Sequence, residues 1–568
     1  MSFSSRRRNY FLTPHRRDGL IEWMKSMLMH SFVLDALATT GADTFSHFEE
    51  LINEHREVCL SSSSSSSSPR NGGRTSASRQ SRLQRLVPTV GVFHTPLPLR
   101  RAYEAYNAKY KLDRRRHLAI SFNEIRHILN LAQIMAFCDD DDDQASPGTN
   151  TATSLGANPQ LRSKRPPTNP LDSPAFTPLQ GNTSTIPSLD LLGGIDESTA
   201  DDGTPADGRF CGPSLITFDG DQTLYSDGAN FESNPKLATY LYLLLRNGVT
   251  VAVVTAAGYE YQTEKYELRL SGLLQFFRRK TPKLTDDQLA RFYLFGGECN
   301  YLLRLGKDYK LHPVNEHGAG GWMTATRYLG PESPANWPES DVTALLDLAE
   351  ESLKESIKDQ NLRARFLRKK RSVGLVPGQG SPPIPREALD ETVLRAQDRL
   401  DRNLTGKKAI PYCAFNGGRD VWVDVGNKRV GVRILQSYLG VPEAETLHIG
   451  DQFLNTGNDY AARQTCPCIW ITNPDETTYI LKSILRLAGI RIAGTVDDDT
   501  EPTSHQQASA PGGIASGGSE VVNFDEMQRR TTAVATMDVY TGELTTAVPP
   551  PPTATAVSPS GGGKPSSE

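Results

Sequence analysis

Hydrophobic residues in the first part of the chain recur at the spacing of helices that bury one face. Residues 121–137 (SFNEIRHILNLAQIMAF) are the clearest case, because apolar side chains return every three or four positions. Ser121 or Asn123 can begin this helix by accepting a bond from a backbone N–H. Residues 20–37 and 99–112 follow the same pattern. The spacing therefore predicts a helical N-terminal region over residues 1–138.

A different pattern occupies residues 213–493, where short β-branched runs alternate with amphipathic segments. The strand-like runs are SLITFD (214–219), VTVAVVTA (249–256), ETLHIGD (445–451) and CPCIWITN (466–473). Alternation of this kind is typical of an α/β fold with a doubly wound, mostly parallel sheet. We also expect charged helices between the strands, including residues 344–360 and the basic run 363–371 (RARFLRKKR).

Three stretches contain too few apolar residues to offset the entropy that is lost when a backbone becomes ordered. They are a serine-rich insert at about 60–82, an acidic and polar linker at 139–212, and a tail at 494–568. Their composition predicts disorder, and it accounts for a hydrophobic content of only 37% over 568 residues.

The charge and cysteine content exclude several classes of protein. Lys and Arg number 62 against 66 Asp and Glu, which gives a formal charge of −4 and argues against a chain that coats nucleic acid. Seven cysteines are too few for a disulfide scaffold and favour a reducing compartment. Apolar runs are too short to span a membrane. We therefore expect a cytoplasmic protein without nucleic-acid or membrane partners.

The strongest chemical signal is the segment ITFDGDQTLYSDG, in which Asp219 directly follows a predicted buried strand and Asp221 comes two residues later. Ligands of open α/β sheets bind at the carboxyl ends of strands, and paired carboxylates there suit Mg²⁺ and phosphate. Taken alone, this pair fits an acidic turn equally well.

The context of this pair resembles the haloacid-dehalogenase-like phosphatases, whose D-x-D-x-T signature is matched by FDGDQT. Further motifs follow in the order that this superfamily requires: Thr255 in VVTAAGYE, Lys428 in FNGGRDVWVDVGNKRVGV, and Asp451 in HIGDQFLNTGNDYAAR. Together with the N-terminal PTVGVFHTPLPLRRAYEAYNAKYK, these strings resemble the IMP-specific 5′-nucleotidase family. The resemblance implies a phosphoric monoester hydrolase that converts IMP and water to inosine and phosphate with Mg²⁺.

The resemblance also implies a role for each matching residue. Asp219 is expected to be the nucleophile that forms an aspartyl-phosphate, and Asp221 the proton donor. The expected ligands of Mg²⁺ are Asp219, Asp221 and Asp451. The expected substrate contacts are Asp221, Asp227, Thr255, Asp420 and Lys428. Asn458 and Asp459 are expected to lie next to the metal ligands without binding the metal directly.

Regulation and assembly are further implications of the resemblance. Lys109 and His127, in the helical region, match segments of the family that respond to ATP, although a solvated basic face and a surface histidine are equally good readings. The family also implies a homo-oligomer, with a tetramer as one form.

The division into domains follows from the motif positions. We expect a phosphatase core at 213–256 and 413–493, with an inserted α/β cap domain at 257–412 that selects the substrate. Two alternatives stay open: a sugar-phosphate phosphatase or phosphomutase of the same superfamily, and a non-enzymatic scaffold that uses the helical region and the polar segments to bind partners.

Overall fold

A computed structural model of the chain describes residues 18–30, 34–64, 80–114, 120–137, 210–232, 234–318, 320–324, 332–404 and 410–490. The linker, the tail and most of the serine-rich insert lie outside the described residues, so their predicted disorder stays a prediction. At the start of that insert the prediction differs from the structure, because a helix continues to Ser64.

Thirteen α-helices and eleven strands make up the described residues. The helices are α1 (Gly19–His30), α2 (Leu34–Ser64), α3 (Arg82–Leu86), α4 (Leu99–Tyr110), α5 (Phe122–Met135), α6 (Pro235–Arg246), α7 (Thr263–Arg269), α8 (Ser271–Arg279), α9 (Asp286–Leu289), α10 (Glu339–Asp359), α11 (Arg386–Asn403), α12 (Lys428–Leu439) and α13 (Pro474–Leu487). The strands are β1 (Leu215–Phe218), β2 (Thr250–Val254), β3 (Phe292–Gly296), β4 (Tyr301–Leu305), β5 (Leu311–Pro313), β6 (Ala364–Arg368), β7 (Ser372–Pro377), β8 (Tyr412–Asn416), β9 (Val421–Val425), β10 (Thr446–Gly450) and β11 (Cys468–Trp470).

The main sheet has seven strands in the order β11-β10-β1-β2-β3-β4-β5. Its first five strands are parallel, and β4 and β5 extend it in antiparallel fashion. All four predicted strands are present, as β1, β2, β10 and β11. Because β1 and β10 are neighbours, the segments that follow them meet at one edge of the sheet.

Side chains alternate between the two faces of this sheet, and each face is covered. Ile216 and Phe218 pack into one apolar cluster with helices α6, α8 and α13, whereas Leu215 packs into a second with α12. Covered faces on both sides explain why these strands are continuously apolar. The predicted doubly wound α/β class is therefore confirmed for this sheet.

A second, four-stranded antiparallel sheet has the order β6-β7-β9-β8 and carries α10 and α11 on one side. Its extent differs from the predicted cap at 257–412. Strands β3 to β5 pair within the main sheet, and β8 and β9 pair within the small one. The predicted boundaries were wrong at both ends because backbone pairing between distant segments, rather than local composition, decides which sheet a strand joins.

The basic run 363–371 is also not helical as predicted. Its central residues form β6, the edge strand of the small sheet, which pairs with β7. Charged side chains on an edge strand discourage pairing with another chain, so Arg and Lys suit this position as well as they suit a helix face.

Helices α1 to α5 form an apolar cluster of their own that packs beside β11. Helix α5 begins with a capping box between Ser121 and Glu124, which confirms Ser121 as the cap. Among the described residues there is no helix with the length and apolar character needed to cross a membrane.

Candidate active site

The carboxyl ends of three neighbouring strands open onto one cavity of about 580 Å³. Asp219 follows β1, Thr255 follows β2 and Asp451 follows β10, and all three residues line the cavity. The parallel order of these strands brings together residues that are separated by more than two hundred positions in the sequence. The predicted motifs therefore meet at the edge that the strand pattern indicated.

Lys428 is the centre of the charge network at the base of this site. Its side chain is fully buried, and its Nζ lies 2.8 Å from Asp219 Oδ1 and 2.6 Å from Asp459 Oδ1. Burial alone would lower the pKa of this lysine, but Asp219, Asp459 and Glu298 raise it above its ordinary value. Lys428 therefore stays charged and holds the Asp219 side chain in place beside Asp459.

Asp459 has its oxygens occupied by donors from the protein. Oδ1 accepts from Lys428 and from His448 Nε2 at 2.9 Å, and Oδ2 accepts from the backbone N–H of Gln452 at 2.9 Å. Although burial opposes ionisation, Lys428 and His448 hold the pKa of Asp459 below its ordinary value. This carboxylate anchors the lysine, and its place next to the metal ligands stays a prediction.

His448 could not be assigned a role from the sequence. It is fully buried within β10, and its Nδ1 lies 2.8 Å from the Thr217 hydroxyl. Since Nε2 faces the Asp459 carboxylate, the proton sits on Nε2 and Nδ1 accepts from Thr217. The sequence signal for His448 is a titratable residue between the apolar Leu447 and Ile449 of a predicted strand.

Burial shapes the ionisation of the carboxyl groups in the cavity. It raises the pKa of Asp219 to about 8, a rise that Lys428 opposes and Asp459 reinforces. Burial, with Asp219 and Asp459 nearby, also raises the pKa of Asp451 well above its usual range. Carboxylates in such surroundings repel each other, and a divalent cation would relieve that repulsion.

The donor set fits a hard cation such as Mg²⁺. Carboxylate oxygens of Asp219, Asp451 and Asp459 lie within 4.8 Å of one another, and the buried Asp451 Oδ1 has no hydrogen-bond partner within the described residues. Oxygen ligands of this type are those that Mg²⁺ prefers. Because both oxygens of Asp459 accept from protein donors, Asp219 and Asp451 are the better ligands.

The carboxylate of Asp221, the third predicted metal ligand, contacts Arg269 and Gly228 and not the other acidic side chains. Its Oδ1 accepts from Arg269 Nη2 at 2.6 Å and from the Gly228 backbone N–H at 3.0 Å. The Arg269 guanidinium also lies over the Tyr225 ring, 4.7 Å from its centroid. Asp221 still lines the cavity, but its carboxylate is not part of the acidic cluster. No sequence signal pointed to Arg269.

The predicted substrate contacts Asp227 and Asp420 lie on two loops that approach each other at the cavity wall. A Cβ on Gly418, in the loop before Asp420, would lie 3.4 Å from Asp227 Oδ2. Burial raises the pKa of both carboxyl groups. The structure therefore brings both residues to the cavity that also holds Asp219.

The small sheet forms the opposite wall. Along β9, Trp422 and Asp424 face the cavity, whereas Val421 and Val423, which alternate with them, are buried against α10 and α11. Gly374 of β7 pairs with Trp422, and a Cβ there would come within 2.6 Å of the indole ring. The glycine therefore gives the indole room to lie flat against the sheet.

Lys109 and His127 lie near a separate, small cavity between the helical region and α13. His127 Nε2 is 3.0 Å from Glu476 Oε1, and burial, followed by the Arg126 charge, lowers the pKa of this histidine. Lys109 Nζ lies 5.5 Å from the ring centroid of Tyr110 and 5.9 Å from that of Tyr479, two residues that line the cavity. The space is only about 30 Å³, too small for a nucleotide in this conformation.

Comparison with known proteins adds to this geometry. The family model described as IMP-specific 5′-nucleotidase matches residues 2–146 and 206–481. A Yarrowia lipolytica protein named IMP-specific 5′-nucleotidase 1 is 33% identical over 483 residues, covering 84% of this chain and 96% of the relative. The Plasmodium falciparum protein of that name is 34% identical over 419 residues, covering 72% and 74%.

Solved structures give a similar result. An IMP-bound mutant of the Plasmodium falciparum IMP-nucleotidase superposes with a TM-score of 0.61 at 30% identity, covering 83% of this chain and 94% of that one. An ATP-bound form of the same enzyme superposes with a TM-score of 0.58 at 31% identity, covering 83% and 85%.

Proposed function

The chain belongs to the IMP-specific 5′-nucleotidase family, and from this premise we propose that it hydrolyses IMP to inosine and phosphate with Mg²⁺, through an aspartyl-phosphate on Asp219. One observation of the site carries the proposal most directly. Lys428 joins Asp219 and Asp459 at the meeting point of β1 and β10, so a nucleophile is held beside a fixed positive charge.

Asp219 is the proposed nucleophile because its contacts leave one oxygen for attack. The Gly220 backbone N–H and Lys428 Nζ both contact Oδ1, at 2.6 Å and 2.8 Å. Oδ2 then attacks phosphorus, the P–O bond to the ribose 5′-oxygen breaks, and that oxygen takes a proton as inosine leaves. Water later attacks the phosphorus of the aspartyl-phosphate, which releases phosphate and restores the carboxylate.

Asp221 is the proposed proton donor to the ribose oxygen and the later acceptor of a proton from water. It lines the cavity two residues after the nucleophile, and Arg269 and Gly228 fix its Oδ1. Thr255 and the N–H groups after β2 would hold the transferring phosphoryl oxygens, while Lys428 neutralises their charge.

Asp219 and Asp451 would hold Mg²⁺, with Asp221 as the further proposed ligand. When bound, the cation would offset the negative charge that gathers on the phosphoryl oxygens. Asn458 and Asp459 would lie next to these ligands without binding the cation directly. Asp459 would hold Lys428 and His448 in place through its hydrogen bonds to them.

The nucleoside half of IMP would lie between the two sheets. Asp227 and Asp420 offer carboxylates to the ribose hydroxyls, and the Trp422 indole offers a flat surface to the base. In this arrangement the small sheet serves as the substrate-selecting cap.

A cytoplasmic location and a homo-oligomeric state stay expectations from the family.

ATP is the proposed effector, with Lys109 and His127 as contacts. The ATP-bound relative supports nucleotide binding, and Arg126 and Lys109 near the small cavity supply positive charge for phosphates, while the neutral His127 can donate or accept a hydrogen bond. Because the cavity is small here, ATP binding would require His127 and Glu476 to separate.

A phosphate-release screen tests the proposed function. Purified full-length protein is given IMP, AMP, GMP and mannose phosphates, with Mg²⁺ or with chelator, alongside Asp219→Asn. We expect Mg²⁺-dependent release from IMP well above the other substrates, and none from the variant. Preferential release from a mannose phosphate would instead favour a sugar-phosphate enzyme, and no release from any substrate would favour a scaffold.

A further inference from the structure

Glu298 is a fully buried carboxylate for which the proposed reaction has no task. It lies in the turn between β3 and β4, where Gly297, Glu298 and Cys299 all have positive φ angles of 61°, 51° and 77°. Residues other than glycine adopt this conformation only at a cost in backbone strain. The surrounding contacts must therefore hold the turn in place.

Those contacts come from the segments that carry the predicted site residues. The Glu298 N–H donates to the Thr255 carbonyl at 3.1 Å, which fixes the turn to the end of β2. On its other side the turn packs against Gly426, just before Lys428, where a Cβ would come within 2.3 Å of the Glu298 carbonyl. The position of Glu298 is thus set by the two segments that carry Thr255 and Lys428.

The Glu298 carboxylate contacts the motif that follows β10. Asn458 Nδ2 donates to Glu298 Oε1 at 2.9 Å, and Asn458 lines the cavity together with Asp219 and Asp451. The buried Oδ1 of Asn458 has no hydrogen-bond partner in the described part of the chain. Glu298 is therefore connected to the cavity through the side-chain amide of Asn458.

The chemistry of the pair determines which way this amide faces. A primary amide can present either its oxygen or its NH₂ group to a given side, and its neighbours decide between the two. The Nδ2 atom of Asn458 lies 2.9 Å from Glu298 Oε1, and a carboxylate only accepts hydrogen bonds when it is ionised, so an ionised Glu298 holds the NH₂ group toward itself and the oxygen away.

We propose that Glu298 is a positioning residue that fixes the Asn458 amide so that its carbonyl oxygen, and not its NH₂ group, is presented to the cavity. An oxygen there is compatible with a divalent cation between Asp219 and Asp451, whereas NH₂ hydrogens would oppose one. The proposal uses the proposed function only for its kinetic readout, since the orientation of the amide rests on the contacts above.

Substitutions that change the donors and acceptors of this pair test the proposal. Glu298→Ala removes the acceptor, and we expect Mg²⁺ affinity and kcat to fall by roughly 10- to 100-fold with KM for IMP nearly unchanged. Asn458→Asp alone places two carboxylates together and should be as damaging. Adding Glu298→Gln to Asn458→Asp reverses the pair, because the glutamine NH₂ can donate to the new carboxylate, and should recover about tenfold of the loss.

Calorimetric titration of the full chain with Mg²⁺ alone gives a readout that does not need IMP turnover. Glu391→Gln serves as the matched control, because Glu391 is a buried carboxylate that pairs with Arg395 on α11, outside the cavity. The Mg²⁺ affinity of Glu391→Gln should equal that of wild type.

The proposal is wrong if Glu298→Ala lowers the melting temperature but keeps Mg²⁺ affinity and kcat, or if the reversed pair is no better than Asn458→Asp. Failure of the wild type to hydrolyse IMP would contradict the proposed function instead, and the calorimetric comparison would still decide the role of Glu298.

Discussion

The indole Nε1 of Trp470 donates a 2.8 Å hydrogen bond to the backbone carbonyl of Asp451. Trp470 ends β11, and its own backbone is held from the helical region. Its N–H donates to Asn130 Oδ1 at 3.1 Å, and its carbonyl accepts from Asn130 Nδ2 at 2.7 Å. Helix α5 thus supports the loop that carries a proposed metal ligand.

Removal of this indole donor should weaken the site without unfolding the chain. Trp470→Phe keeps most of the ring but loses one hydrogen bond, which contributes about 0.5–1.5 kcal/mol. We expect kcat for IMP to fall by roughly two- to tenfold and the Mg²⁺ concentration for half activity to rise. Trp337→Phe is the control, because Trp337 is buried and its Nε1 has no hydrogen-bond partner among the described residues. Equal effects of the two substitutions would contradict the role of Trp470.

Lys428 should be important for stability as well as for turnover. Lys428→Met leaves the buried carboxylates of Asp219 and Asp459 without their cation, and breaking such a pair costs about 3–5 kcal/mol. Activity should fall by at least about 100-fold. Urea unfolding in chelator would measure the loss of stability, and added Mg²⁺ should restore part of it.

The matched control for that experiment is Lys354→Met. Lys354 is half exposed and pairs with Glu350 on α10, so its loss should cost about 0–1 kcal/mol. A Lys428→Met protein as stable as this control would show that the buried lysine does not compensate the two carboxylates.

The buried Glu298 carboxyl group should make stability depend on pH. Burial raises its pKa to about 7 from an ordinary value of 4.5, although Lys428 opposes the rise. Between these two pH values the folded chain binds more protons than the unfolded chain, so the free energy of unfolding falls as pH increases. The contribution is complete below about pH 4.5 and is lost as pH rises through about 7.

Urea unfolding of chelated protein at several pH values between these limits would measure this slope. Glu298→Gln cannot titrate, and its free energy of unfolding should fall less steeply over the same range. Asp219, whose pKa burial raises to about 8, contributes a slope of the same sign that the substitution leaves in place. Parallel curves for wild type and variant would contradict the assignment to Glu298.

ATP activation should depend on Lys109. Lys109→Ala removes a positive charge beside Tyr110 and Tyr479, and we expect the ATP concentration for half activation to rise about tenfold, since a charge-assisted hydrogen bond contributes about 1.5–3 kcal/mol. Arg100→Ala, on the same helix in an exposed pair with Glu104, is the control. An unchanged ATP titration of Lys109→Ala would remove Lys109 from the effector site.

The sequence by itself determined the local features of this protein. The period of apolar residues predicted β1, β2, β10 and β11, and the resemblance to known motifs identified Asp219, Thr255 and Asp451 at the ends of three of these strands. The sequence also predicted a helix cap at Ser121 or Asn123, and the structure has it at Ser121. These features depend on a few neighbouring residues, so they can be recognised without the fold.

Only the tertiary structure decided which distant segments pair and which charges meet. The basic run at β6 and the strands β3, β8 and β9 were assigned wrongly because sheet membership depends on partners far along the chain. The contact between Arg269 and the Asp221 carboxylate is likewise a result of the fold, since no local signal pointed to it. Glu298 and His448 carry no motif, and their importance follows from burial beside Lys428, Asn458 and Asp459, which no local pattern encodes.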